Sequence, residues 1–255
     1  MTQPAISLQL YSLREALAAD AARAIARAAE SGFRLVEPFD LANTAKGLGP
    51  LLSANGLSAP TAHARVLGAD QAPIYEAAAG LGVRTVIDPF VDPSRWESAE
   101  SVDRVADELA AAAQTAAEFG LEFGYHNHAF ELSNRIDGAS ALERLASRLP
   151  ESVCLEVDTY WAAQGGEDVP ALLSRLGARV RFLHVKDAPI GEDGVLSPDR
   201  FDQVPVGEGA LPWAEILAAA PSAELVVVEF DEFRGDVIEG SARSKAALEA
   251  LGAHA

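Results

Sequence analysis

Four short segments concentrate the side chains that can bind a cation or move a proton: YHNH (125–128), LEVD (155–158), LHVKD (183–187) and VVEFD (227–231). In each, an imidazole or a carboxylate follows a run of apolar residues. His126, Asp158, His184 and Glu229 stand at equivalent places in these runs. Two imidazoles and two carboxylates meeting at one point suit a divalent ion such as Mn²⁺, Co²⁺, Fe²⁺ or Zn²⁺. A divalent ion beside a carboxylate base suits proton abstraction α to a carbonyl: the ion polarises the oxygen and the base takes the proton. The enediolate so formed has several fates. Reprotonation gives isomerisation or epimerisation, and loss of a β-leaving group gives dehydration or elimination.

Such a set is only useful if the chain brings it together. Eight β-rich runs do so on paper: 5–10, 33–39, 57–63, 83–90, 121–127, 153–158, 180–186 and 224–230. Helical patterns alternate with them at 15–31, 43–55, 70–81, 97–119, 139–149, 167–177, 212–220 and 236–252. Gly32, Gly56 and Gly120 sit where helix C-caps are expected. Eight βα units in 255 residues match the count and size of a (β/α)8 TIM barrel, α/β in class and one domain over 1–255. A doubly wound open sheet is the competitor. Against it, no G-x-G-x-x-G follows the first strand. Polar residues also cluster at the C-terminal ends of nearly all the strands: Gln9, Glu37, His63, Asp88, His126, Asp158, His184 and Glu229. Strand side chains alternate inward and outward, so an inward polar residue at a strand end faces the barrel mouth. The stretch 187–211 reads as a long loop over that mouth.

Composition removes other classes. Apolar residues make up 49% and charged residues 23%, with a net charge of −18, which describes a globular chain whose surface repels phosphate backbones. A nucleic-acid partner is therefore not expected. No apolar run reaches the ~20 residues of a membrane span, and the start, MTQPAISLQLYS, lacks a basic region before its apolar stretch. A cytoplasmic protein with no membrane association is the expectation. Cys154, the one cysteine, excludes an internal disulfide and reads as a small buried hydrophobe. The oligomeric state is not set by sequence.

The segments ISLQLYSLR, GYHNHAFEL, LEVDTYWAAQGGED, RFLHVKD, VGEGALPW and VVVEFDEF, in this order over nearly the whole chain, resemble the sugar phosphate isomerase/epimerase family, the xylose isomerase-like TIM barrels. The resemblance implies one Mn²⁺-like ion (Co²⁺, Mg²⁺, Fe²⁺ and Zn²⁺ being alternatives) held by His126, Asp158, His184 and Glu229. It implies that Glu229 is also the base, and that His63 binds substrate or acts as acid or base. The substrate would be a small sugar or polyol derivative. Many epimerases of the family carry Glu where this chain has His126, and that Glu is a second base. The change favours one-base chemistry: isomerisation, or lyase and dehydratase reactions on keto-inositols and keto-sugars. A barrel that binds metal without catalysis is the non-enzymatic alternative. The apurinic-site endonucleases share the barrel, but their further ligands are missing here: Trp161, Phe201 and Gln203 stand in those places.

Other residues receive roles around the ion. His128, on the parity of His126, is expected to touch substrate from the loop. Lys186, on the parity of His184, either stabilises an enolate oxygen and donates a proton or is a solvated strand-end lysine. Glu156 lies two residues below Asp158, and a buried carboxylate there needs a partner. Gln9 and Glu37 are candidates for hydroxyl recognition. Tyr11 and Trp161 offer faces to a sugar ring or pack internally. The segment VGEG (206–209) looks like a phosphate cradle, but it contains Glu208 and no cation, so no phosphate site is assigned to it.

Overall fold

Short runs of β-branched and apolar residues, each closed by a polar side chain, form eight parallel strands. In the computed structural model, which describes residues 3–192 and 194–254, they are β1 (Ala5–Gln9), β2 (Leu35–Glu37), β3 (Thr61–His63), β4 (Thr85–Asp88), β5 (Glu122–His126), β6 (Val153–Asp158), β7 (Val180–Val185) and β8 (Leu225–Val228). They pair in chain order from β3 to β8, and β8 pairs with β1 and β1 with β2. Between β2 and β3, Val36 N donates to Ser58 O (2.9 Å) and His63 N to Pro38 O (2.8 Å), which completes the circle. The pairing of β1 with β8 excludes the open sheet. The chain folds as a (β/α)8 barrel.

The helices follow the sequence periodicity to within a few residues: Arg14–Glu30, Leu41–Ala54, Gln71–Leu81, Ala99–Glu118, Ala141–Arg148, Val169–Leu176, Trp213–Ala219 and Val237–Ala250. Several of their starts carry side-chain caps. Ser98, Asp168 and Asp236 accept from first-turn amides, and Ser140 with Glu143 forms a capping box. Gly32, Gly56 and Gly120 take φ of 94°, 65° and 73°, as helix C-caps require.

The structure departs from the sequence reading in two places. The third strand, expected over 57–63, is regular only from Thr61; Pro60 has no N–H to donate to a neighbour. Two short helices, Phe130–Ser133 and Thr159–Gln164, and the strand Arg135–Ile136 have no counterpart in the sequence reading, and Ala139–Ser140, expected to open the helix over 139–149, instead pairs with Arg135–Ile136 in a two-stranded ribbon. Each is too short for a hydrophobic period to show.

Inside the barrel, Ile87, Cys154, Phe182, Leu225 and Val227 pack together. Burial pushes the Cys154 thiol up to about 12, so it stays a neutral packing group. At the amino-terminal end, Arg181 Nε lies 2.6 Å from Glu224 and its Nη1 2.8 Å from Glu122, and Arg84 also pairs with Glu224. The other end is left for chemistry. Among the described residues no helix is long and apolar enough to cross a membrane.

Candidate active site

The inward rows of the strands end at the carboxyl-terminal mouth in two layers that share His184. The lower layer contains Glu37 of β2, His63 of β3 and Glu156 of β6. His63 Nε2 lies 2.6 Å from Glu156 Oε2 and 3.1 Å from Glu37 Oε1. His126 Nδ1 lies 3.1 Å from Glu156 Oε2, and His184 Nε2 2.8 Å from Glu37 Oε1. The upper layer contains Asp158 and Glu229. His184 Nδ1 lies 2.9 Å from Glu229 Oε2, and His126 Nε2 3.8 Å from Asp158 Oδ2. Lys186 Nζ stands between these two carboxylates, 2.5 Å from each. His63 and Glu229 are slightly exposed and the other members nearly or fully buried.

His126 and His184 are thus each held at one nitrogen by a buried carboxylate, and each presents the other toward Asp158 or Glu229. This is how proteins fix the tautomer and direction of a metal-binding histidine. Two sets of groups are close enough to hold an ion: Asp158, His184 and Glu229 above, and His63, His126, Glu156 and His184 below. The upper set is the better fit. Its Glu229 lines the mouth cavity, and the ammonium of Lys186 already lies between Asp158 and Glu229 as a cation would. His126 Nε2, 3.8 Å from Asp158 Oδ2, lies beside this set and would add a second imidazole to its mixed N/O donors.

The charges follow from burial and neighbours. Burial pushes His126 well below the usual imidazole range, with His184 and His63 adding to the effect, so it stays neutral. Burial opposes ionisation of Glu229, but Lys186 and His184 overcome it and hold the carboxyl well below its usual range. Burial alone would neutralise Lys186; Asp158, Asp231 and Glu229 instead keep it charged. Burial and Glu37 raise Glu156 to about 7, against the pull of His184 and His63.

A cavity of about 590 Å³ opens above the cluster, lined among others by Tyr11, His63, His128, Trp161, Lys186 and Glu229. His128 stacks parallel on Phe130 with centroids 5.6 Å apart, and among the described residues its Nδ1 and the Trp161 Nε1 are buried without a hydrogen-bond partner. Tyr11 is 40% exposed and packs edge-on against Phe39. Gln9 and Glu37 lie elsewhere than expected. Both are fully buried below the cavity, where Gln9 Nε2 donates to Glu37 Oε1 (2.8 Å), and they support His184 and His63 instead of facing a substrate. Asp88, grouped with the mouth residues in sequence, has the parity opposite to the inward Ile87. Its carboxylate accepts from Val66 N (2.9 Å), Leu67 N (3.0 Å) and Phe90 N (3.1 Å) and so ties two loops together.

The VGEG segment binds an anion after all, but an internal one. Asp187 Oδ2 accepts from Gly207 N (3.0 Å), Gly209 N (3.2 Å) and Trp213 Nε1 (2.7 Å). Its Oδ1 accepts from Ala188 N (2.9 Å), Ala210 N (3.0 Å) and Leu211 N (3.2 Å). The nest of amides anchors the long loop next to Lys186. Sequence reasoning did not assign Asp187, Asp231 or Glu131. Asp231 lies 3.6 Å from Lys186 Nζ, and its place two residues beyond Glu229 was the available signal. Glu131 accepts from Tyr125 Oη (2.6 Å) and His128 N (2.9 Å) and sets the turn after β5.

With this geometry the comparison with known proteins is direct. A sequence model of the xylose isomerase-like TIM barrels matches residues 13–251. The chain belongs to the xylose isomerase-like TIM barrel family. One curated relative is the inosose dehydratase of Geobacillus kaustophilus (strain HTA426), 35% identical over 95 residues. That match spans 37% of this chain and 28% of the relative's length. Among solved structures, a sugar phosphate isomerase/epimerase from Parabacteroides distasonis ATCC 8503 superposes with a TM-score of 0.78 at 22% identity, covering 99% of this chain and 96% of the other. A xylose isomerase-like TIM barrel protein from Mycobacterium smegmatis in complex with magnesium gives 0.73 at 14% identity, covering 98% and 96%. Relatives of this family barrel include isomerases, epimerases and dehydratases.

Proposed function

We propose that this protein is a divalent-metal-dependent enzyme that removes a proton α to the carbonyl of a small sugar or polyol-derived ketone, giving isomerisation or epimerisation through an enediolate. One observation carries the reading: His126 and His184 are each tied at the far nitrogen by a buried carboxylate and face Asp158 and Glu229. These four residues would hold the ion, Mn²⁺ being the first candidate. The ion would supply Lewis-acid polarisation of the substrate oxygen. The neighbouring barrel complexed with magnesium supports divalent binding in this fold.

The chain's own residues supply the proton chemistry. Glu229 is ionised, as a base must be, and borders the cavity. Lys186 carries its charge at the same edge, placed to stabilise negative charge developing on a substrate oxygen. His63 reaches the cavity from β3, with Glu156 Oε2 2.6 Å from its Nε2 and so placed to take or return a proton. His128 and Trp161 offer unpartnered nitrogens to substrate hydroxyls, and Tyr11 offers a ring face. Gln9 and Glu37 hold His184 in place. We place the protein in the cytoplasm, acting on small molecules and not on nucleic acid.

A second reading has its own support. The segment shared with an inosose dehydratase favours β-elimination of water from the same intermediate. The test is incubation of the Mn²⁺-loaded protein in D₂O with ketoses and keto-inositols. Deuterium at the carbon α to the carbonyl supports the reading, and its absence across the panel overturns it. Glu229→Gln should lower turnover about 10²–10⁴-fold, the contribution of a positioned base.

A further inference from the structure

Two arginines at the mouth have no carboxylate to bind. Arg65 and Arg200 both line the 590 Å³ cavity, and among the described residues neither side chain has a hydrogen-bond or ion-pair partner. Arg14, Arg27, Arg95, Arg144 and Arg181, among others, sit on carboxylates. What distinguishes Arg65 and Arg200 from other arginines without such a partner, such as Arg23 and Arg104, is that both line this one cavity.

Arg65 is also held in place. It lies two residues beyond His63, just past the end of β3. Its guanidinium rests on the ring of Phe90, 4.4 Å from the centroid, a contact that fixes the plane while leaving the N–H edges free. The fully buried Asp88 carboxylate ties Val66 and Leu67 to Phe90, so one internal group sets both the arginine and the ring beneath it. Arg200 comes from the loop after β7, across the barrel from β3. That loop is anchored by the six donors on Asp187 and by Asp199, which caps the Arg200–Asp202 turn through Phe201 N at 2.9 Å. The ion cluster below is rich in carboxylates, and a neutral polyol would need no cation at the rim. A planar fork of donors matches a carboxylate or a phosphate.

We propose that the substrate carries an oxyanion group, carboxylate or phosphate, that Arg65 grips on the Phe90 side while Arg200 closes on it from the facing loop. The inference rests on the reading of this mouth as the substrate site. It assigns the substrate to the sugar acids or sugar phosphates and separates these from neutral ketoses.

The test is titration calorimetry on the metal-free protein, in chelator, with gluconate, inorganic phosphate and neutral myo-inositol as probes. At least one oxyanion should bind, more weakly as salt rises, and the tighter of the two identifies the group. Arg65→Gln should weaken it at least about tenfold, Arg65→Lys by less, and Arg65→Gln with Arg200→Gln should abolish it. Both arginines are exposed, so the variants should keep the wild-type melting temperature. Failure of both oxyanions to bind, tighter binding of myo-inositol, or affinity unchanged in the double variant overturns the proposal. A separate Mn²⁺ titration keeps the two ideas apart. Oxyanion binding without Mn²⁺ binding would sink the metal-dependent function and leave the arginine site standing. Mn²⁺ binding without oxyanion affinity would do the reverse.

Discussion

His184 and Glu37 stand 147 residues apart in sequence and are joined by a 2.8 Å contact between Nε2 and Oε1. Through it, β2 decides which nitrogen β7 offers to the mouth. Glu37→Gln keeps the shape and removes the charge. Affinity for Mn²⁺ should fall about 10- to 100-fold, the usual cost of losing the carboxylate behind a metal-binding histidine. The circular dichroism spectrum should be unchanged. Wild-type affinity measured by Mn²⁺ titration would show that the contact has no part in ion binding.

Lys186 neutralises Asp158 and Glu229 from between them. Lys186→Met leaves two buried carboxylates facing each other without a cation. In the metal-free state this should cost about 3–5 kcal/mol, as for other broken buried pairs. Mn²⁺ should restore most of the loss, so the rise in melting temperature on adding the ion should be larger in the variant than in wild type. Equal rises would contradict the placement of the ion between these two carboxylates.

A Cβ on Gly209 would lie 2.1 Å from Asp187 Oδ1 and 2.5 Å from Ala188 O. Gly209→Ala must therefore expel Asp187 from its ring of amides or push the loop outward. We expect a stability loss of about 1–3 kcal/mol, typical of overpacking, and faster hydrogen exchange at residues 207, 209, 210 and 211. Turnover should drop as well, because Lys186 precedes Asp187 directly. Unchanged exchange at those amides would mean that the carboxylate does not hold the loop.

Glu131 sets a pH dependence. Burial raises its carboxyl from 4.5 to about 8, although Tyr125 and the His128 amide favour the ionised form. Between these values the folded protein holds a proton that the unfolded chain releases, so this group's contribution to stability is complete below about pH 4.5 and is lost as pH rises through 8. Glu131→Gln keeps an acceptor for the His128 amide and removes the titration. Its denaturation midpoint should fall less between pH 5 and 8.5 than that of wild type. Parallel slopes in the two proteins would remove Glu131 as the source.

The sequence by itself determined the barrel and set polar side chains at the ends of its strands. Strand and helix periods repeat eight times, and side-chain alternation in a strand is a local property. The ends of β5, β6, β7 and β8 therefore declared His126, Asp158, His184 and Glu229 before any contact was known. Local rules could not reveal which group each of these meets across the barrel. Gln9 and Glu37 looked like mouth residues because their parity is right, yet their depth below the cavity depends on the stagger of neighbouring strands. Asp88 ended its strand like the others, and only the inward turn of Ile87 showed that it faces the loops. The anion in the VGEG nest comes from Asp187, about twenty residues away, and Arg65 and Arg200 stand out only because the fold brings both to one cavity. Chain-local periodicity encodes the elements and their faces, whereas depth and partnership arise from the closure of the barrel, which the tertiary structure alone decides.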